Sequence, residues 1–181
     1  MISLKSKISQ AVLGHFFLHD DHKLYAGEMV KMLNVDKRNL AKKLHEIVNE
    51  GLLTSERQGH EVYYRLNKEY PLFNEYKKII LKTYGIERQL RLAIEKMDGI
   101  AEAYIFGSYA KNTMDGKSDI DVLIVGDAKS IDIHAGIVPI QKSTSREINI
   151  VNMTKREFQR KCKEKDPFIN EIMKGHRIRL K

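Results

Sequence analysis

At 181 residues, 42% of them hydrophobic, the chain is long enough for one or two cored domains, and with no run of about 18 apolar residues it offers no membrane-spanning helix. A single cysteine, Cys162, excludes an internal disulfide; with no signal peptide evident, the expectation is a soluble protein of the reducing cytoplasm. The 32 Lys and Arg outnumber the 24 Asp and Glu, and the net charge of +8 favours nucleotides and nucleic acids as partners. That excess is spread as +2 over residues 1–70, +2 over 71–98 and +4 over 99–181, so charge alone does not identify a DNA-binding surface.

From the N-terminus, Ile2 to Leu18 reads as an amphipathic helix with Ile8, Val12 and Phe16 spaced four apart. A short helix is expected over Ala26 to Leu33, and Asp36 is placed to cap a third helix that stops before Gly51. In that helix Leu40, Leu44, Ile47 and Val48 form one apolar face. Leu52 to Arg57 and Glu61 to Leu66, parted by Gln58-Gly59, read as a β-hairpin. Within this order of elements, LHEIVNEGLLTSERQGHEVYYRLN resembles the recognition-helix end and wing of a winged helix-turn-helix of the arsenical-resistance-repressor type. The resemblance covers residues 1–68 and implies double-stranded DNA as a partner, with the third helix in the major groove and the wing on the backbone or minor groove. The residues so implicated are Lys37, Arg38, Asn39, Lys42 and Lys43, with Arg57 and Gln58 on the wing. Winged helices also serve as dimerisation or protein-binding modules, and His45 and His60 read as surface residues.

Leu72 to Met97 is expected to be helical with an interruption at Gly85, an apolar stripe through Phe73, Tyr76, Ile79, Ile80 and Tyr84, and a second through Leu90, Ala93, Ile94 and Met97. It reads as a helical linker, and such a stripe suits a homodimer, the form in which winged-helix repressors read paired half-sites.

The most informative stretch is Ile100 to Gly126, IAEAYIFGSYAKNTMDGKSDIDVLIVG. A β-rich run, Ile100 to Phe106, meets Gly107-Ser108; a polar turn, Asp115 to Ser118, precedes Asp119-Ile120-Asp121 and a second apolar run, Val122 to Val125. Alternation along a strand puts Asp119 and Asp121 on one face. Two carboxylates at the start of a buried strand need a cation, and a hard divalent one, Mg²⁺ or Mn²⁺, suits oxygen ligands. Gly107 permits backbone to approach a ligand, and Ser108 is expected to cap a short helix, Tyr109 to Met114, whose free N–H groups favour phosphate.

Gly-Ser, ten residues, then Asp-x-Asp is similar to the signature of the DNA polymerase beta-like nucleotidyltransferase superfamily in its minimal form. The resemblance implies an NTP substrate, ATP by expectation, with Gly107, Ser108 and Lys111 at the phosphates and Asp119 and Asp121 on the metal. Many members have Ala-Arg-Gly after the Gly-Ser-x; here Ala110-Lys111-Asn112 stands there, and Lys111 keeps the charge without arginine's bidentate fork. Members also draw a third carboxylate from a neighbouring strand, here Arg146 to Val151, on which Glu147 and Asn149 share a face. Glu147 is the only carboxylate on that strand and is expected to complete a three-carboxylate catalytic and metal site; the alternative is Asn149 in the third position, where an amide cannot act as a base.

Elsewhere, Lys129 to Ser143 reads as a helix that Gly136 and Pro139 should kink or break, with His134 on its surface. Thr154 to Glu157 fits a capping box for a helix to about Lys165; Asp166-Pro167 breaks it, Phe168 to Lys174 is helical, and His176 to Leu180 is an edge strand. The fold class expected is α+β: a winged helix-turn-helix over 1–70, a helical linker over 71–98, and a nucleotidyltransferase fold with a mixed sheet flanked by helices over 99–181. The expected function is Mg²⁺-dependent transfer of an NMP to an acceptor hydroxyl. A protein acceptor is implied by the resemblance, since minimal nucleotidyltransferases are often antitoxins that modify a separate toxin. The alternative is a DNA-binding regulator whose nucleotidyltransferase fold senses nucleotide or is inactive.

Overall fold

A computed structural model describes residues 4–115 and 118–181. The chain separates into two units, residues 1–88 and 89–181, dividing inside a helix. Among the described residues no helix is long and apolar enough to cross a membrane.

In the first unit Ser6 begins α1 (Lys7–Leu18) by accepting the Ser9 N–H, so the helix starts later than its apolar periodicity suggested; Ile2 itself lies outside the described residues. The strand β1 (Leu24–Tyr25) leads into α2 (Ala26–Leu33), and Asp36 caps α3 (Lys37–Asn49) by accepting the Asn39 N–H at 2.8 Å. Next, β2 (Leu53–Gln58) and β3 (Glu61–Leu66) pair from Leu53↔Leu66 to Gln58↔Glu61, which leaves Gly59-His60 as the turn. Antiparallel pairing of β1 with β3 completes a sheet of order β1-β3-β2. The core is where the apolar positions of α1 and α3 meet the start of β2: Val12, Leu13, Phe16, Phe17, Leu40, Leu44, Ile47, Leu52 and Leu53 are all buried. Packed against α1 is α4 (Phe73–Thr83), which ends at Tyr84-Gly85. Lys23 donates to Glu56 at 2.8 Å and holds that carboxyl below its ordinary value. This tie therefore contributes above the ordinary glutamate pKa and is lost as pH falls through the lowered one.

The dividing helix, α5 (Ile86–Glu95), is followed in the second unit by β4 (Ile100–Phe106), the short α6 (Gly107–Ala110), β5 (Ile120–Gly126), α7 (Ser130–Thr144), β6 (Ile148–Met153), α8 (Lys155–Lys163), α9 (Pro167–Lys174) and β7 (Ile178–Arg179). The sheet has the order β6-β5-β4-β7; β5 and β6 run parallel, whereas β4 is antiparallel to both β5 and β7. Tyr104, Leu123, Val125 and Met153 on one face pack with Phe158 of α8 and Ile169 and Ile172 of α9. Ala103, Ile105, Val122 and Ile124 alternate with them and are buried as well, which is why the strand sequences read as continuous apolar runs. Arg91 of α5 ties the last strand in place through the carbonyls of Arg179 and Leu180, each at 3.0 Å.

The expected break in α7 does not occur. Ile133, Ile137 and Ile140 bury one side of the helix, while Pro139 and Ala135 stand on the exposed side. The Ala135 carbonyl that the proline leaves without a helical donor therefore faces water, which can satisfy it. Asp166-Pro167 stops α8 but starts α9, with Pro167 at the first helical positions and Asp166 accepting the Ile169 N–H at 3.0 Å.

Candidate active site

One end of the second sheet gathers the polar residues. Here β4 stops, and β5 and β6 begin side by side, with Phe106, Asp121 and Asn149 paired in one row across the three strands. Paired residues share a face, so Asp121 and Asn149 project from the same side of the sheet, and Asp119 joins them two residues before Asp121. The Asn149 Nδ2 lies 3.3 Å from Asp119 Oδ2 and 3.5 Å from Asp121 Oδ1, so a neutral amide donates between two carboxylates.

The other side of Asp121 is closed by Gly107. A Cβ at this glycine would lie 2.3 Å from Asp121 Oδ2, and its φ of +72° is in the left-handed region. Both facts demand glycine. The chain then makes the single turn of α6, in which the Gly107 carbonyl accepts the Lys111 N–H and the Ser108 carbonyl accepts the Thr113 N–H at 3.0 Å. Ser108 is thus inside the turn, and the position before the helix is taken by Phe106, in place of the expected Ser108 cap of a Tyr109–Met114 helix. Of the expected polar turn before Asp119, Gly116 and Lys117 lie outside the described residues; Asp115 accepts the Ser118 N–H at 2.8 Å.

The expected three-carboxylate site is not assembled. Among the described residues no three His, Cys, Asp or Glu side chains gather to hold a metal ion. Glu147 is exposed and precedes β6, contributing its backbone carbonyl to the Ile120 N–H at 3.0 Å. The parallel register, which sets Asn149 opposite Asp121, explains why the amide is the group on the aspartates. Lys111 extends toward α9, where its Nζ is 3.4 Å from Glu171 Oε1, an exposed pair of small energetic weight. The site residue that sequence reasoning passed over is Arg146. It is buried at 5% exposure and donates Nη1 to the Ser118 carbonyl at 3.0 Å, anchoring the backbone just ahead of Asp119. Nothing in the sequence separates it from a surface arginine.

In the first unit the implicated α3 residues Lys37, Arg38, Asn39 and Lys42 are exposed, opposite the buried Leu40, Leu44 and Ile47. Lys43 is drawn instead to Glu46 at 2.5 Å. On the hairpin Arg57 Nε donates to the Gly59 carbonyl and Gln58 to Glu56.

Two carboxylates are hard donors that fit Mg²⁺ or Mn²⁺, the Asn149 amide beside them could add an oxygen by turning over, and Gly107 sets backbone without a side chain directly against Asp121. A mixed sheet that sets a glycine turn against paired aspartates can hold a divalent cation next to phosphate, the requirement of phosphoryl-group chemistry. The chain belongs to the nucleotidyltransferase domain family, whose sequence model matches residues 87–179, just over half of its length. By family, then, its second unit is a nucleotidyltransferase domain, and nucleotidyl transfer is the general activity this membership supports. A crystal structure of a protein from Sulfolobus solfataricus, named "putative nucleotidyltransferase", aligns with 41% of this chain and 68% of its own at 20% identity and a TM-score of 0.29, too low to bear on the fold. No match was found among curated proteins.

Proposed function

We propose that the protein transfers a nucleoside monophosphate from an NTP, ATP by preference, to an acceptor hydroxyl, with a divalent cation held by Asp119 and Asp121. The observation that carries this reading is the convergence of both aspartates on the Asn149 amide, with Asp121 set against the Gly107 turn. The cation would neutralise charge on the triphosphate as pyrophosphate leaves. The chain's own groups do the rest. Gly107 and Ser108 admit the phosphates against backbone, and Lys111 adds a nearby positive charge. Arg146 fixes the approach to Asp119 through the Ser118 carbonyl. In the transfer the acceptor oxygen bonds to the α-phosphorus, the α–β phosphoanhydride bond breaks, and the hydroxyl proton passes to a carboxylate or water at the site. Asn149 cannot take that proton. A hydroxyl on a separate protein is the acceptor class that fits the family resemblance. Incubation with α-labelled NTPs, Mg²⁺ and candidate protein acceptors tests the proposal: label should appear on the acceptor with wild type and be absent with Asp119→Asn.

A second reading, a DNA-binding regulator in which this domain senses nucleotide, is favoured by two specific observations. Asn149 stands where a third carboxylate was expected, and the first unit has the element order of a winged helix, with Lys37, Arg38, Asn39 and Lys42 exposed on α3. The two readings are compatible as one protein. Leu72 and Ile79, at 47% and 46% exposure, are large apolar side chains at α4 that suit the expected pairing of two copies. On this reading Arg38→Ala weakens binding to duplex DNA by about 10-fold or more, leaves nucleotide binding unchanged, and reduces the slope of log K against log salt by about one. Fluorescence anisotropy at several salt concentrations measures both; an unchanged affinity and slope would remove α3 from the DNA interface.

A further inference from the structure

We propose that Asn149 restricts the centre to a single divalent cation and, in the metal-free protein, holds the two aspartates together. The inference rests on the nucleotidyl-transfer reading above and concerns how this chain departs from a three-carboxylate centre.

The geometry is specific. Asp119 and Asp121 project from one face at the start of β5, and among the described residues the one polar side chain shown to reach both is an amide, at 3.3 Å and 3.5 Å. On its other side Asp121 is set close against Gly107, its Oδ2 only 2.3 Å from where a Cβ on that glycine would stand. Two carboxylates so confined repel one another when no cation is present, and an N–H shared between them offsets that repulsion. Two divalent cations at the spacing of a two-metal site, about 3.5–4 Å, repel four times as strongly as unit charges at that distance. A third carboxylate would offset that repulsion. The Asn149 amide can turn its Oδ1 toward a cation but brings no charge, and among the described residues no third acidic side chain joins the cluster. The two carboxylates therefore suffice for the cation that accompanies the triphosphate and not for a second one beside it.

The test uses the full chain with Mn²⁺ and the α,β-methylene analogue of ATP, which cannot be cleaved at the transferred phosphate, read by electron paramagnetic resonance. Wild type should give the spectrum of isolated Mn²⁺, one per chain, and Asn149→Asp should give the spectrum of a coupled Mn²⁺ pair. Glu147→Gln should match wild type. In EDTA, Asn149→Ala should melt about 3–6 °C below wild type because the shared donor is gone. A coupled pair in wild type, an isolated ion in a folded Asn149→Asp, or a Glu147→Gln spectrum unlike wild type would each overturn the inference and leave the nucleotidyl-transfer reading standing. Wild type that takes up no Mn²⁺ with the analogue would instead overturn both. The wild-type spectrum decides the cation count even if Asn149→Asp does not fold.

Discussion

A Gly107→Ala chain should remain folded and lose metal-dependent nucleotide binding by about 100-fold or more, a larger functional loss than its stability change would suggest. The stability change has a definite origin. At φ +72° an alanine is strained by about 1–2 kcal/mol, which corresponds to a fall of roughly 4–15 °C for a domain of this size. The functional change has a different origin. The new methyl would sit 2.3 Å from Asp121 Oδ2, far inside contact distance, and the least costly relief is rotation of that carboxylate. Rotation breaks its alignment with Asp119 and Asn149. Circular dichroism and a melting curve measure the first effect, and isothermal titration with Mg²⁺-ATP measures the second. Normal nucleotide affinity in a folded Gly107→Ala chain would mean that Asp121 is not a ligand at this site.

Asp119→Asn and Asp121→Asn should each weaken Mg²⁺-ATP binding by about 30-fold or more and remove label transfer, since each deletes one of the two half-buried carboxylate charges proposed to hold the cation. The same variants should melt at or slightly above wild type in EDTA, because each relieves carboxylate repulsion in the metal-free protein while keeping side-chain shape. That opposition separates a ligand from a structural residue: a structural aspartate would lower melting temperature and affinity together. Thermal denaturation with EDTA and with saturating Mg²⁺-ATP provides both numbers from one sample.

Much of this site was legible because strands declare themselves by alternation and by their ends. Ile100 to Phe106 is β4 to the residue, since a β-rich apolar run is stopped by a glycine that cannot continue it. Asp119 and Asp121 share a face for the same reason of period. What could not be read is anything that depends on how separate strands slide past one another. Glu147 and Asn149 are indistinguishable by alternation; only the parallel register between β5 and β6, set by packing of both sheet faces, brings Asn149 opposite Asp121. Lys111 looked free to serve phosphate because Glu171 is distant in the chain and adjacent only once α9 folds back beside α6. Pro139 misled for a complementary reason. Its local rule holds, but three isoleucines on the opposite side of α7 outweigh one missing hydrogen bond on the wet side. Arg146 is the residue with the least warning, because an arginine is informative only when it is seen to be buried.

Nucleotide binding at the paired aspartates can be read from the thermal shift produced by Mg²⁺ with each NTP on wild type and on the Asp119→Ala/Asp121→Ala double variant. At about 100 times its Kd a bound ligand adds roughly 2.7 kcal/mol, a shift of many degrees in a domain of this size. A metal-dependent rise is expected with wild type, largest for ATP, and none with the double variant. A folded wild type whose melting temperature no Mg²⁺-nucleotide moves, or a double variant that shifts as wild type does, would mean that Asp119 and Asp121 do not form a nucleotide site.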